Sequence, residues 1–118
     1  MSEKTDYLKD LESEFTRVHQ QFIGVLTAAI GILVGGAAAF KHLLHLDWVN
    51  AFYFCTVTLT TVGYGDIVPN TDTSKLFTMV YILVGIGIVA TFATTLIKHV
   101  SLKREIRITK RQIKRQTK

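Results

Sequence analysis

The residues with the most distinctive chemistry are Thr61, Val62, Gly63, Tyr64, Gly65 and Asp66. An ordinary core has no use for two glycines alternating with bulky residues at this point. Glycine accepts positive φ, where other residues meet a steric cost. The alternation lets a short extended segment aim successive carbonyl oxygens the same way. The carbonyls of Thr61, Val62, Gly63 and Tyr64, with the Thr61 hydroxyl, then form one wall of a cation site. A single chain cannot surround an ion with them, so the stretch implies a closed ring of symmetric copies. Dehydrating a cation is costly, and oxygens from several chains must replace its water shell.

The rest of the chain holds this stretch at depth. Its 118 residues carry a formal charge of +5, and 48% are hydrophobic, a length that fits one domain. The apolar residues are concentrated. Phe22–Phe40 is a run of 19 residues without a charge, and Leu76–Ile97 a run of 22. At about 1.5 Å per residue each reaches roughly 28–33 Å as a helix, enough to cross a hydrocarbon core of about 30 Å. Two such runs in so short a chain leave too little polar chain to cover them in water. Phe22–Phe40 is unlike a cleaved signal peptide, since it starts late, runs long and follows an acidic segment.

Between the runs, Asp47 is a suitable N-cap for a helix over Trp48 to about Thr60. Some 13 residues make roughly 20 Å of helix, too short to span. Its aromatics (Phe52, Tyr53, Phe54) and threonines (Thr56, Thr58, Thr60) suit a re-entrant helix surrounded by protein. Ile67–Asn70 is a turn-prone exit, and Thr73 or Ser74 is the expected cap of a second span starting near Lys75 or Leu76. Ahead of the first run, Leu8, Leu11, Phe15, Val18 and Phe22 recur at helical steps. That stripe predicts an amphipathic helix along the membrane interface, or one in contact with a neighbouring subunit. Gly31 and Gly35 form a small-xxx-small pair suited to close helix packing.

Charge fixes the orientation. Lys and Arg number three before the first run, two between the runs and nine after the second. The excess of positive charge on the cytoplasmic side puts both termini inside and the 41–75 loop outside. The basic tail (100–118) admits three readings: a solvated terminus, an extension of the inner helix with Leu102, Ile106 and Ile113 on a seam, or contact with anionic lipid headgroups. With no folded reader present, nucleic acid is not the expected partner. Cys55, the one cysteine, is expected to be a small packed side chain, and the four histidines show no metal-ligand spacing. No nucleophile–base pair or phosphate loop points to an enzyme. As a dinucleotide site, Gly63-x-Gly65 lacks the third glycine.

Thr61–Asp66 resembles the selectivity filter of potassium channels, in which four such loops ring the ion path. The order of span, short helix, filter and span resembles the prokaryotic potassium channels with two transmembrane helices per subunit, over about residues 22–100. Thr56–Gly63 and Val84-Gly85-Ile86-Gly87 are also similar to the bacterial two-helix channels that pass both sodium and potassium, while Tyr64 and Asp66 give the potassium-selective form. The resemblance implies an all-α membrane protein of the cell membrane, a homotetramer with a central pore and K⁺ as the permeant ion. Its expected parts are an interfacial helix (1–21), an outer helix (about 22–43), a pore helix (about 48–60), the filter (61–66) and an inner helix (about 75–99).

The same resemblance implies residue roles. Thr61, Val62, Gly63 and Tyr64 would coordinate K⁺, with the Val62 and Tyr64 side chains packed on the pore helix. Gly65, Asp66, Tyr53 and Phe54 would support the filter, Tyr53 offering its hydroxyl to Asp66. Gly85 falls at the inner-helix hinge. Helical spacing and analogy together place Ile86, Ala90, Thr94 and Ile97 on the cavity and gate. Some members carry a glutamate behind the filter aspartate; Val57 stands at that position here, so that couple is absent. The alternatives are a non-selective monovalent cation channel, a subunit of a potassium-uptake transporter and a non-conducting membrane adaptor.

Overall fold

Three helices make up the computed structural model, which describes residues 2–118: α1 (Ser2–Leu43), α2 (Trp48–Leu59) and α3 (Asp72–Gln116). With 42 and 45 residues, α1 and α3 are each far longer than a span requires. At about 1.5 Å per residue they reach roughly 63 and 68 Å, about twice the thickness of a hydrocarbon core. Each therefore joins an apolar run to a long polar extension. Only 11% and 17% of their most apolar 18-residue windows is buried. Core helices of a water-soluble protein would be mostly covered, so these faces are suited to lipid or to another copy.

The helix ends follow from local chemistry. α1 closes with Leu46 N–H donating to Lys41 O at 3.1 Å, while His45 takes φ +55°. This is a Schellman closure with histidine where glycine is usual. Asp47 is the N-cap of α2, as expected, but its carboxylate makes no bond to the helix backbone. It accepts instead from Asn50 Nδ2 at 2.6 Å. α3 begins at Asp72, earlier than expected, because Thr71 and Ser74 form a reciprocal cap. Ser74 N–H donates to Thr71 Oγ1 at 3.2 Å and Thr71 N–H to Ser74 Oγ at 3.1 Å. The arrangement is a capping box with serine in place of the usual Glu or Gln.

The described residues form two compact units, one of residues 2–24 together with Phe92–Lys118, the other Val25–Thr91. The second is organised around Phe40, which is fully buried. Phe54 of α2 and Phe77 and Tyr81 of α3 meet Phe40 edge-on, at centroid distances of 4.7, 5.1 and 5.2 Å. Edge-to-face pairs of this kind add about 0.5–1.5 kcal/mol each beyond the area they bury. Ala37, Ala51, Cys55 and Leu59 complete the core. Gly36 lets the Tyr81 ring approach: a Cβ there would stand 2.6 Å from Tyr81 Cζ and Oη. Tyr81 Oη then donates to Ile32 O at 3.3 Å. By contrast, a Cβ added at Gly31 or Gly35 would meet nothing within 4 Å. Within one chain the close-packed glycine of α1 is therefore Gly36, outside the Gly31/Gly35 pair that spacing singles out.

In the other unit the N-terminal part of α1 lies against the C-terminal part of α3. The stripe containing Leu11 and Val18, expected to face an interface or a neighbouring subunit, is covered by the chain's own helix, leaving those two residues 5% and 9% exposed. Across from it, Thr95 and Thr109 are buried and Leu102, Ile106 and Ile113 half-buried. Residues 98–116 contain no Gly or Pro, are rich in Lys, Arg, Gln and Ile, and carry this partly covered stripe, which is why α3 runs on past 99. Lys110 Nζ pairs with Glu12 Oε1 at 2.9 Å, and Tyr7 Oη donates to Glu105 Oε1 at 2.5 Å.

Candidate functional site

α2 delivers the Thr61–Asp66 stretch. Its threonines answer their own polarity: Thr56 Oγ1 donates to Phe52 O at 2.8 Å and Thr60 Oγ1 to Thr56 O at 2.6 Å. Such back-bonding lets hydroxyls sit on a helix away from water. The helix ends at Leu59, and the next residues turn sharply. Thr61 N–H donates to Thr58 O, and Gly63 N–H to Val57 O, both at 3.1 Å. This is close to a Schellman closure, with the longer bond made one residue late.

The backbone of the stretch alternates. Thr61, Gly63 and Gly65 take φ of +62°, +55° and +78°. Val62 and Tyr64 are not among the positive-φ residues. For glycine this costs nothing, but for β-branched Thr61 the left-handed region is an outlier with a penalty of about 1–2 kcal/mol. Strain of that kind persists only where surrounding bonds fix it, and here the two capping bonds flank Thr61. Sequence reasoning predicted the two glycines. It missed Thr61, for which the helix-ending position before a glycine was the available signal.

Asp66 is tied back to α2: Tyr53 Oη donates to its Oδ2 at 2.8 Å. Phe54, also predicted to support the stretch, points into the Phe40 cluster and is 5% exposed, so its support is indirect, through the position of α2. The side chains of Val62 and Tyr64 are 52% and 71% exposed in the single chain. An open concavity of about 380 Å³ adjoins the stretch, lined by Thr61, Gly63, Tyr64, Gly65, Thr78 and Ile86. Ile86 is thus beside the stretch. Ala90 is exposed in the same unit, and Thr94 and Ile97 are exposed in the other. Gly85 is buried, and a Cβ built there would collide with the Leu59 side chain at the end of α2. Its lack of a side chain is therefore used for close packing, and α3 is continuous through it. Val57 contributes its carbonyl to the turn and lines the concavity. Near the other end of α2, Lys41 Nζ lies 5.6 Å from the Trp48 ring centroid, a cation–π contact suited to a membrane interface.

Two helices long enough to span, flanking a short helix that ends in a glycine-alternating turn, define an all-helical membrane protein with two spans. A family model described as "Ion channel" matches residues 20–101, and the chain belongs to this ion-channel family. Among its relatives is Two pore potassium channel b of Oryza sativa subsp. japonica, 34% identical over 91 residues, 72% of this chain and 26% of the relative. Two pore potassium channel a of the same species is 45% identical over 58 residues, 49% of this chain and 17% of the relative. Probable potassium channel protein 2 of Methanocaldococcus jannaschii is 34% identical over 70 residues, 59% of this chain and 20% of the relative. The chain therefore spans about a quarter or less of the length of these curated relatives.

Proposed function

We propose that the chain is one subunit of a potassium-selective channel of the two-span kind. Four copies would surround a central path along which K⁺ moves passively down its gradient. In this reading the carbonyls of Thr61, Val62, Gly63 and Tyr64, with the Thr61 hydroxyl, coordinate the ion. The observation that carries it is the alternation of positive φ at Thr61, Gly63 and Gly65 immediately beyond the end of α2. A backbone that alternates hands in this way turns successive carbonyls to one side, which an ordinary strand does not. The negative end of the α2 dipole adds to the attraction for a cation. The exposed side chains of Val62 and Tyr64 leave an apolar and aromatic surface for a neighbouring copy. The names of the relatives point to the same ion.

The rest of the assignment follows from charge and position. Both termini lie in the cytoplasm, the 41–75 loop faces outside, and Ile86, Ala90, Thr94 and Ile97 line the inner part of the path. The basic face of α3, with Lys103, Arg104, Arg107, Arg111, Lys114 and Arg115, meets anionic lipid headgroups at the inner surface. Gly85 acts chiefly as a packing residue and bends α3 only if Leu59 moves away. The deciding experiment is the reversal potential of the purified protein in planar bilayers under opposed K⁺ and Na⁺ gradients. A reversal potential close to that of K⁺ is expected. Equal permeation of the two ions would overturn the selectivity, and absence of current with monomeric protein would overturn the pore.

A further inference from the structure

Thr94 and Ile97, which the channel reading puts on the ion path, lie in the terminal unit with the rest of α3. An α-helix turns about 100° per residue. Steps of three and four from Thr94 therefore carry one face through Ile97, Ser101, Arg104, Ile108, Arg111 and Arg115, and α3 is helical as far as Gln116. Every residue of this row is exposed. The opposite face is the one α1 covers. There Thr95 and Thr109 are 3% and 8% exposed, Leu102 and Ile106 are half-buried, and His99 Nε2 lies 3.1 Å from His19 Nδ1.

Arg104, Arg111 and Arg115 share their row with no acid. Glu105 is the one carboxylate among residues 98–118. It accepts from Tyr7 Oη, and it stands about 100° around the helix from Arg104. Arg111 and Arg115 are one turn apart, a like-charge spacing that weakens a helix. Ile97 and Ile108, 66% and 47% exposed, stand among them. A water-facing surface has no use for those isoleucines, whereas a row facing other copies across a path sets apolar groups against apolar groups. Lys103, Arg107, Lys110 and Lys114 form a second row, about 60–120° to one side of Arg104. Of these, Lys110 pairs with Glu12 of α1. The basic face of α3 thus divides: the flank row is the part left to lipid headgroups, and the arginine row is in phase with the path.

We propose that Arg104, Arg111 and Arg115 of four copies form a cationic vestibule at the inner end of the path, which depletes K⁺ there and makes conduction favour the inward direction. The proposal rests on the channel reading. Fixed charges of one sign around a concave passage raise a potential of several kT. A positive potential of one kT already lowers the local concentration of a monovalent cation about threefold. Ions leaving the cytoplasm start from that depleted pool, while ions arriving from outside do not pass it before the filter. The charge is permanent, since arginine keeps its proton at every pH a cell meets. Screening acts over about 8 Å at physiological ionic strength, so the row facing the path, and not the flank, sets the potential that a K⁺ ion meets. The reversal potential stays where the filter puts it, because the vestibule depletes all monovalent cations alike.

Single-channel currents of the full chain in planar bilayers, with equal K⁺ on both sides, test this. Unitary current is expected to be about two- to threefold larger inward than outward at equal and opposite voltages, the factor that one kT gives. The ratio is expected to fall toward unity when an impermeant salt takes the ionic strength from about 0.1 M to about 1 M and the Debye length from about 10 to about 3 Å. It is expected to fall likewise when Arg104→Gln, Arg111→Gln and Arg115→Gln are combined. Combining Lys103→Gln, Arg107→Gln and Lys114→Gln on the flank is expected to change it less. A second measurement reads the potential without current. In Ser101→Cys with Cys55→Ser, in detergent, an anionic thiol reagent is expected to react faster than a cationic one of the same size, and the arginine variant to lose that preference. In the bilayer, the chamber from which either reagent alters the current marks the cytoplasmic side. Equal currents in both directions in the parent, a ratio unmoved in the arginine variant, or an equal or larger effect of the flank variant overturns the vestibule. So does the absence of any reagent preference. No K⁺-selective current from a parent protein that keeps the reagent preference overturns the channel reading, and with it the effect on conduction, and leaves the cationic row standing.

Discussion

The two compact units share apolar packing and differ in the exposed polar contacts that accompany it. In Val25–Thr91, Phe40 is enclosed by three aromatic rings, and Gly36 and Gly85 admit side chains that no Cβ would allow. In the terminal unit, beside the buried Leu11 and Val18 and the rings of Phe15, Phe22 and Phe92, the polar contacts include an exposed ion pair, a tyrosine–carboxylate bond and a histidine pair. Dense apolar packing resists changes of volume and ignores pH and salt. Exposed polar contacts tolerate changes of volume and respond to both. The first suits the job proposed for it: a turn with Thr61 in the left-handed region needs a rigid seat.

The largest effects should come from the seat and the stretch it carries. Gly65→Ala puts a side chain at φ +78°, at a cost of about 1–2 kcal/mol. Loss of K⁺ flux in liposomes by at least about tenfold is expected, since about 1.4 kcal/mol is already one decade. Gly63→Ala should do the same, and flux at the parent level in either would break the proposed role of the alternating backbone. Gly36→Ala comes next. Its Cβ meets the Tyr81 ring, which the Phe40 cluster holds in place. Overpacking of about 1–3 kcal/mol is partly offset by the gain of about 1 kcal/mol for Ala over Gly in a helix. A lower thermal unfolding temperature in detergent is expected. Gly31→Ala and Gly35→Ala should be neutral or stabilising within a single chain, and a loss of stability there would show that another copy covers them.

Tyr53→Phe should act more gently. It removes the donor to Asp66 and leaves the ring in place. Conduction should survive but decay faster under sustained current. An unchanged decay would mean that Asp66 is held by something other than Tyr53.

Much of this was readable in the residues because glycine, charge and apolar runs have few structural alternatives. Thr61–Asp66, the short helix after Asp47 and the two spans each follow from a physical constraint acting over a few positions. The misses share a different cause. Gly36 and Gly31 look alike in sequence, and only the position of Tyr81, 45 residues further on, makes one of them critical. The stripe from Leu8 to Phe22 shows that a surface must be covered, but the spacing carries no information about what covers it. That the cover is α3 depends on a pairing of distant segments. Thr61 at positive φ and Thr71–Ser74 as a capping box use residues that usually do other work, so pattern alone pointed one turn away.

The smallest effects should lie in the terminal unit, and they separate its contacts by pH. Glu12→Gln removes an ion pair with half-exposed partners, a change of about 0–1 kcal/mol that added salt should mask. Tyr7 gives a sharper signature. Its bond to Glu105, and then the charge of that carboxylate, raise its pKa above the ordinary tyrosine value of 10.0. A raised folded-state value means that the contact contributes fully below the unfolded pKa and is lost as pH rises through the folded one. The contact should therefore persist through neutral pH and fail in strong alkali. Tyrosinate absorbance titrated in the parent and in Glu105→Gln checks this. One tyrosine should ionise at higher pH in the parent than in the variant. Coincident curves would mean that Tyr7 and Glu105 are apart in solution, leaving the ion pair and the histidines as the specific polar ties between the two terminal segments.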